Sequence, residues 1–198
     1  MTTKSPIQGR EWRFCDYLGF ELRDAADVDS PGSPGQLVGH AAVFNVVTDL
    51  GRFREMVAPG AFKDSIKKDD VRALLNHNPD HILGRTAAKT LKLKEDDKGL
   101  AIEIKLPKTQ TARDLVESIL RGDISQMSFA FDTIEDSWGR DAEGNQVRTL
   151  RKVKLFDVSP VTSPAYPQTD IALRWASAPP RGGQLSIMRM RLELEALI

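Results

Sequence analysis

The chain has 198 residues, 40% of them hydrophobic, with 28 Lys and Arg set against 28 Asp and Glu for a formal net charge of zero. That length holds one domain, or one domain and a tail, and buries a core without disulfides. A balanced charge argues against a general polyanion binder, no apolar run nears the roughly 20 residues that span a bilayer, and no basic-then-apolar signal opens the chain, so neither nucleic acid nor membrane is an expected partner. The single cysteine, Cys15, has no partner in the chain and is expected to be a small hydrophobe. If general-base chemistry occurs near neutral pH with the usual side chain, the base is His40, His77 or His81.

Residues 1–36 end in Asp29-Ser30-Pro31-Gly32-Ser33-Pro34-Gly35, a run of turn formers that marks a loop. Leu37–Phe44 is the first predicted strand, and Phe53–Val57 follows a turn at Asp49-Leu50-Gly51. Pro59-Gly60 ends that strand, and Ala61–Lys67 reads as a short helix. Val71–Leu75 is a short apolar run before Asn76-His77-Asn78-Pro79-Asp80, where the Asn-Pro step predicts a turn. Thr90–Lys94 and Leu100–Leu106 alternate apolar with polar residues around Asp96-Asp97-Lys98-Gly99, the pattern of a hairpin with one buried face.

Thr109–Arg121 places Ala112, Leu115, Val116, Ile119 and Leu120 on one face of a helix, with Thr111 and Asp114 fitting a capping box and Gly122 a C-terminal stop. Ile124–Asp132 and Gln146 to about Val158 complete the strands, and Ser163-Pro164-Ala165-Tyr166-Pro167 closes the compact part. The expected domains are an N-terminal segment at 1–36, a core domain at 37–177, a linker at 178–183 and a C-terminal amphipathic helical tail at 184–198. The fold class this implies is mainly β with α, a small closed or partly open β-barrel with surrounding helices.

Three segments carry polar residues that packing does not require. His77 stands at the end of an apolar strand, where an imidazole is free to act as a base; the plainer reading is a polar turn. A zinc pair of His77 with His81 is disfavoured by Pro79 between them, and no HExxH pattern is present. In Ser125-Gln126-Met127-Ser128-Phe129-Ala130-Phe131, alternation turns Met127, Phe129 and Phe131 inward and Ser128 outward, accessible beside the small Ala130. A serine is a nucleophile only with a base at hand, so Ser128 gains meaning from His77. In the third segment Val153, Leu155 and Asp157 share one strand face, and a half-buried carboxylate there is suited to hold an imidazole N–H; the plainer reading is an edge acid paired with a cation.

Five stretches in order resemble one known family. They are Gly39-His40-Ala41-Ala42-Val43-Phe44-Asn45, Phe53-Arg54-Glu55-Met56-Val57-Ala58-Pro59-Gly60-Ala61-Phe62, and Leu74-Leu75-Asn76-His77-Asn78 running on to Leu83-Gly84-Arg85-Thr86. The last two are Ile124 to Phe131 and Asp157 to Pro167. The chain thereby resembles the prohead maturation proteases of tailed bacteriophages, serine endopeptidases related in fold to the herpesvirus assemblins.

The resemblance implies His77 as base, Ser128 as nucleophile and Asp157 as third member, with Gln126 and Ala130 standing where many relatives have Gly. Arg85 is an oxyanion candidate by sequence nearness alone and reads better as structural or substrate-facing. Also implied are the major capsid protein and its scaffold or delta segment as partners and substrates, self-cleavage, a homo-oligomer such as a dimer, and work in the host cytoplasm during assembly, inside the procapsid. No cofactor or metal is implied. The alternative is a catalytically inactive, scaffold-binding capsid assembly module of the same fold.

Overall fold

The computed structural model describes residues 9–15, 34–162 and 172–174. The expected linker at 178–183, the tail at 184–198 and the Ser163–Pro167 motif lie outside the described residues. The elements run β1 (Glu11–Cys15), β2 (Gln36–Val43), β3 (Thr48–Asp49), β4 (Arg54–Val57), α1 (Lys63–Lys68), β5 (Arg72–Leu75) and β6 (Asn78–Arg85). They continue with β7 (Leu91–Glu95), β8 (Gly99–Lys105), α2 (Gln110–Leu120), β9 (Gln126–Arg140), β10 (Gln146–Val161) and β11 (Ala172–Arg174). Among the described residues no helix is long and apolar enough to cross a membrane.

The protein is mostly β with few helices. One sheet has the order β1-β9-β10-β4-β3, with β5 also paired to β10 and β6 to β5; the other has the order β11-β2-β8-β7. No pairing among the described residues closes either sheet into a barrel. One core joins both sheets and both helices: Leu37, Leu100 and Ile104 from the smaller sheet meet Phe129, Phe131 and Leu155 from the larger, with Phe62 before α1 and Leu115 from α2. Phe62 sets its ring edge to Phe129 at 5.5 Å between centroids, and Phe129 stacks on Phe131 at 5.1 Å.

The strongest sequence patterns give the elements they predict. The β7–β8 hairpin buries Leu91, Leu100, Ile102 and Ile104, and α2 buries Ala112, Leu115, Val116 and Ile119. Leu120 departs from that face and stays exposed. The α2 cap is Thr109 rather than Thr111: its backbone is extended, and its hydroxyl accepts from the Ala112 N–H at 3.3 Å. Gly122 follows the helix at φ +83°, the left-handed conformation for which glycine carries no Cβ penalty.

β1 comes from the N-terminal segment to which sequence patterning assigns no element. It pairs antiparallel with β9, Trp12 opposite Ala130 and Phe14 opposite Ser128. Its pattern is inverted: Glu11 is buried while Trp12 is 47% exposed. The inward face is satisfied by charge pairs. Arg148 on β10, fully buried, donates to Asp136 at 2.6 Å, to Glu11 at 2.7 Å and to Glu55 at 3.0 Å. Arg13 bridges Glu11 and Glu55. These carboxylates hold the Arg148 guanidinium well above its ordinary pKa despite its burial.

Candidate active site

The turn between β5 and β6 is a two-residue hairpin loop. Leu75 pairs with Asn78, and the residues between them, Asn76 and His77, have φ of +53° and +56°. Two consecutive left-handed residues are the signature of a type I′ turn, which matches the twist of the flanking strands. The turn therefore lies at Asn76-His77, and not at the Asn-Pro step. Pro79 sits within β6, which among the described strands pairs with β5 alone; proline is tolerated on such an edge because its missing N–H interrupts no interior ladder.

This turn carries the His77 ring over the outer face of β9 and β10. Its Nδ1 is 2.6 Å from Asp157 Oδ1, and its Nε2 is 2.6 Å from Ser128 Oγ. An ionised carboxylate only accepts, so the assignment that satisfies both contacts puts the ring proton on Nδ1, donated to Asp157, and leaves Nε2 to accept from the Ser128 hydroxyl. The three residues singled out from the sequence are thus brought into one hydrogen-bonded line.

Asp157 reaches that line through a β-bulge. Leu155 is opposite Phe131, yet Asp157, two residues on, is opposite Ala130, the register shifting between them. Regular alternation would keep Asp157 on the inward face with Val153 and Leu155, as the sequence pattern predicts. The extra residue, Phe156, reverses the face and aims the carboxylate toward Ser128. From there Val158 opposes Phe129 inward, and Ser159 opposes Ser128 outward.

Ser128 does not stand open as alternation suggests. Met127, Phe129 and Phe131 do face the core, but Ser128 and Ala130 are both 0% exposed. β1 runs alongside them at the sheet edge and His77 lies over Ser128, whereas alternation assumes solvent on the second face. Trp12 sets its ring edge-on to the His77 imidazole, centroids 6.4 Å apart at 74°. Asp157 is buried at 5% exposure, and its Oδ1 also accepts from the Ser159 hydroxyl at 2.8 Å.

Sequence patterning did not single out Asn76, Ser159 or Trp12 as site residues. Ser159 was within reach, since a residue two beyond Asp157 on a strand shares its face. Trp12 gave no signal without the pairing of β1.

The other candidates lie elsewhere. Arg85 donates through Nε and Nη2 to Asp70, at 2.5–2.9 Å, and that contact holds the Asp70 carboxyl below its usual range. This pairing with Asp70 gives Arg85 a structural part. His40 donates from Nε2 to Asp96 at 2.8 Å, tying β2 to the β7–β8 turn. Burial acts to raise Asp96, but the bond from His40 and the backbone N–H groups of Gly99 and Lys98 outweigh it and hold the carboxyl below its ordinary value. His81 lies on β6, and no group of three or more His, Cys, Asp or Glu arranged for a metal occurs among the described residues.

The capsid assembly protease of bacteriophage T4 has a similar fold, with a TM-score of 0.52 at 11% identity over 78% of this chain and 98% of that one. No curated protein matches the chain. The caudovirus prohead serine protease family matches residues 24–179, which leaves β1 outside the matched span. Over that span, most of its length, the chain belongs to the caudovirus prohead serine protease family.

Proposed function

We propose that this protein is a serine endopeptidase that matures the phage procapsid by cutting scaffold or delta segments of the major capsid protein, and itself, inside the closed shell. The observation that carries this reading is the line Ser128–His77–Asp157, with 2.6 Å at each contact, in a chain of a serine protease family.

In the proposed reaction His77 Nε2 takes the Ser128 proton as Oγ attacks the scissile carbonyl. Asp157 accepts from Nδ1–H throughout and stabilises the imidazolium that forms. His77 then gives its proton to the leaving amine, which departs and leaves an acyl-enzyme. Water, deprotonated by His77, attacks the acyl carbon, and the proton returns to Ser128 as the acid product leaves. No metal or cofactor enters these steps. Because Ser128 is fully buried, substrate reaches Oγ only after its surroundings open.

That burial also favours a second reading, a scaffold-binding assembly module without catalysis. Co-expression with the capsid protein separates the two. The protease reading expects the wild type to trim the capsid protein while Ser128→Ala and His77→Ala leave it whole in assembled shells. Equal products from all three sink it.

A further inference from the structure

Asp157 makes two hydrogen bonds through a single oxygen. Oδ1 accepts from His77 Nδ1–H at 2.6 Å and from Ser159 Oγ–H at 2.8 Å. Ser159 is 0% exposed, so bulk water does not compete for its hydroxyl. The terminal torsion of an aspartate is broad rather than sharply staggered, and a carboxylate held by one imidazole alone rocks with it. A second donor on rigid backbone removes that freedom.

Ser159 is on such a backbone. It precedes Pro160, which confines it to extended conformations. It also pairs directly with Ser128 across the β9–β10 ladder, in the regular register beyond the bulge. The distance from Ser159 to the nucleophile strand is thereby fixed by main-chain hydrogen bonds. Asp157, on the same strand face, takes its orientation from it.

We propose that Ser159 is a positioning residue for the base, resting on the protease reading above: its hydroxyl fixes Asp157 Oδ1 where His77 Nδ1–H must meet it and shares the charge of the buried carboxylate. The group acts through Asp157 and does not touch substrate. A bond to a buried charged group of this kind strengthens the whole line, because the imidazolium is stabilised only while the carboxylate stays aligned.

The test is the inactivation of the full chain by a fluorophosphonate, followed as adduct on Ser128 and resolved into kinact and KI. Ser159→Ala is expected to lower kinact roughly tenfold, as befits a lost bond to a charged group, with KI unchanged. Ser159→Thr, which keeps the hydroxyl, is expected to recover most of it. A merely structural role lowers the fraction of chain that reacts and leaves kinact alone. If Ser159→Ala folds poorly, Ser159→Cys keeps the buried position filled with a weaker donor and is expected to lower kinact in the same sense. Wild-type kinact in these variants, with Ser128 still labelled, overturns the role of Ser159 and leaves the protease reading standing. No adduct on wild-type Ser128 overturns both.

Discussion

Asn76 ties the hairpin that carries His77 to the end of β10: its Oδ1 accepts from the Thr162 backbone N–H at 2.9 Å, and its own N–H donates to the Pro160 carbonyl at 2.9 Å. The strand end that bears Asp157 thus also anchors the turn that bears its partner. Asn tolerates the left-handed conformation found here, and Ala does not. Asn76→Gly should keep the turn and lose only the side-chain tether, costing about 1 kcal/mol. Asn76→Ala should add a conformational penalty of about 1 kcal/mol or more. Denaturant unfolding of the two variants reads the difference; equal losses contradict the strained turn.

Trp12 on β1 sets its ring edge-on to the imidazole of His77, the residue whose Nε2 meets Ser128. Its edge contact with His77 belongs to a class worth about 1 kcal/mol, so removing it should ease the parting of β1 from the hairpin tip. Trp12→Ala is expected to raise the labelling rate of Ser128 about fivefold, the factor that such an energy corresponds to. An unchanged rate in a folded variant means that the probe reaches Ser128 by a route that β1 does not guard.

Arg148 is the hub of the buried charge cluster beneath β1. Its removal takes from Asp136 its cation and leaves Glu11 and Glu55 to Arg13, and Asp136 Oδ1 already has no hydrogen-bond partner among the described residues. Arg148→Met, close in length but uncharged, is expected to cost about 3–5 kcal/mol in chemical denaturation, the usual penalty for stranding a buried charge. A loss under about 1 kcal/mol would show that the cluster is readily rehydrated.

Glu11 gives the same cluster a pH signature. Burial acts to raise its pKa, but the bonds from Arg148 and Thr133 and the charges of Arg13 and Arg148 outweigh it and hold Glu11 below its ordinary 4.5. A carboxyl lowered on folding lends stability that is complete above its unfolded value and is lost as pH falls through its folded value. Thermal melting should therefore show a clear gap between wild type and Glu11→Gln at neutral pH that narrows well below pH 4.5. A gap of constant size contradicts the linkage.

Much of the fold was legible because period and burial agree. Leu91 and Leu93 alternate with lysines, the apolar face of α2 repeats at helical spacing, and Gly99 sits where the β7–β8 hairpin meets β2. A Cβ on Gly99 would lie 1.9 Å from the Ala42 carbonyl oxygen, so the close approach admits only glycine. β1 was not legible because its buried side is Glu11, matched by an arginine 137 residues away. The hairpin tip misled because Asn76-His77 makes a type I′ turn without glycine, while the adjacent Asn-Pro gives the louder signal.

The site residues could be singled out by type and by resemblance to known proteases, but their arrangement could not. Strand alternation turns Asp157 inward, and only the extra residue at Phe156 turns it out. It likewise leaves Ser128 in solvent, because nothing in residues 126–131 announces β1 beside them. Ser159, two residues from Asp157 and opposite Ser128, becomes meaningful only when the register is known.

The most direct test of the Ser128–His77–Asp157 line is mass-spectrometric mapping of the fluorophosphonate adduct on the full chain. The hydrogen-bonded geometry predicts an adduct on Ser128 in the wild type, none in Ser128→Ala, and labelling slowed by at least about a hundredfold in His77→Ala, within the range by which general-base catalysis accelerates such steps. Wild-type labelling in His77→Ala, or an adduct confined to another serine, would contradict it.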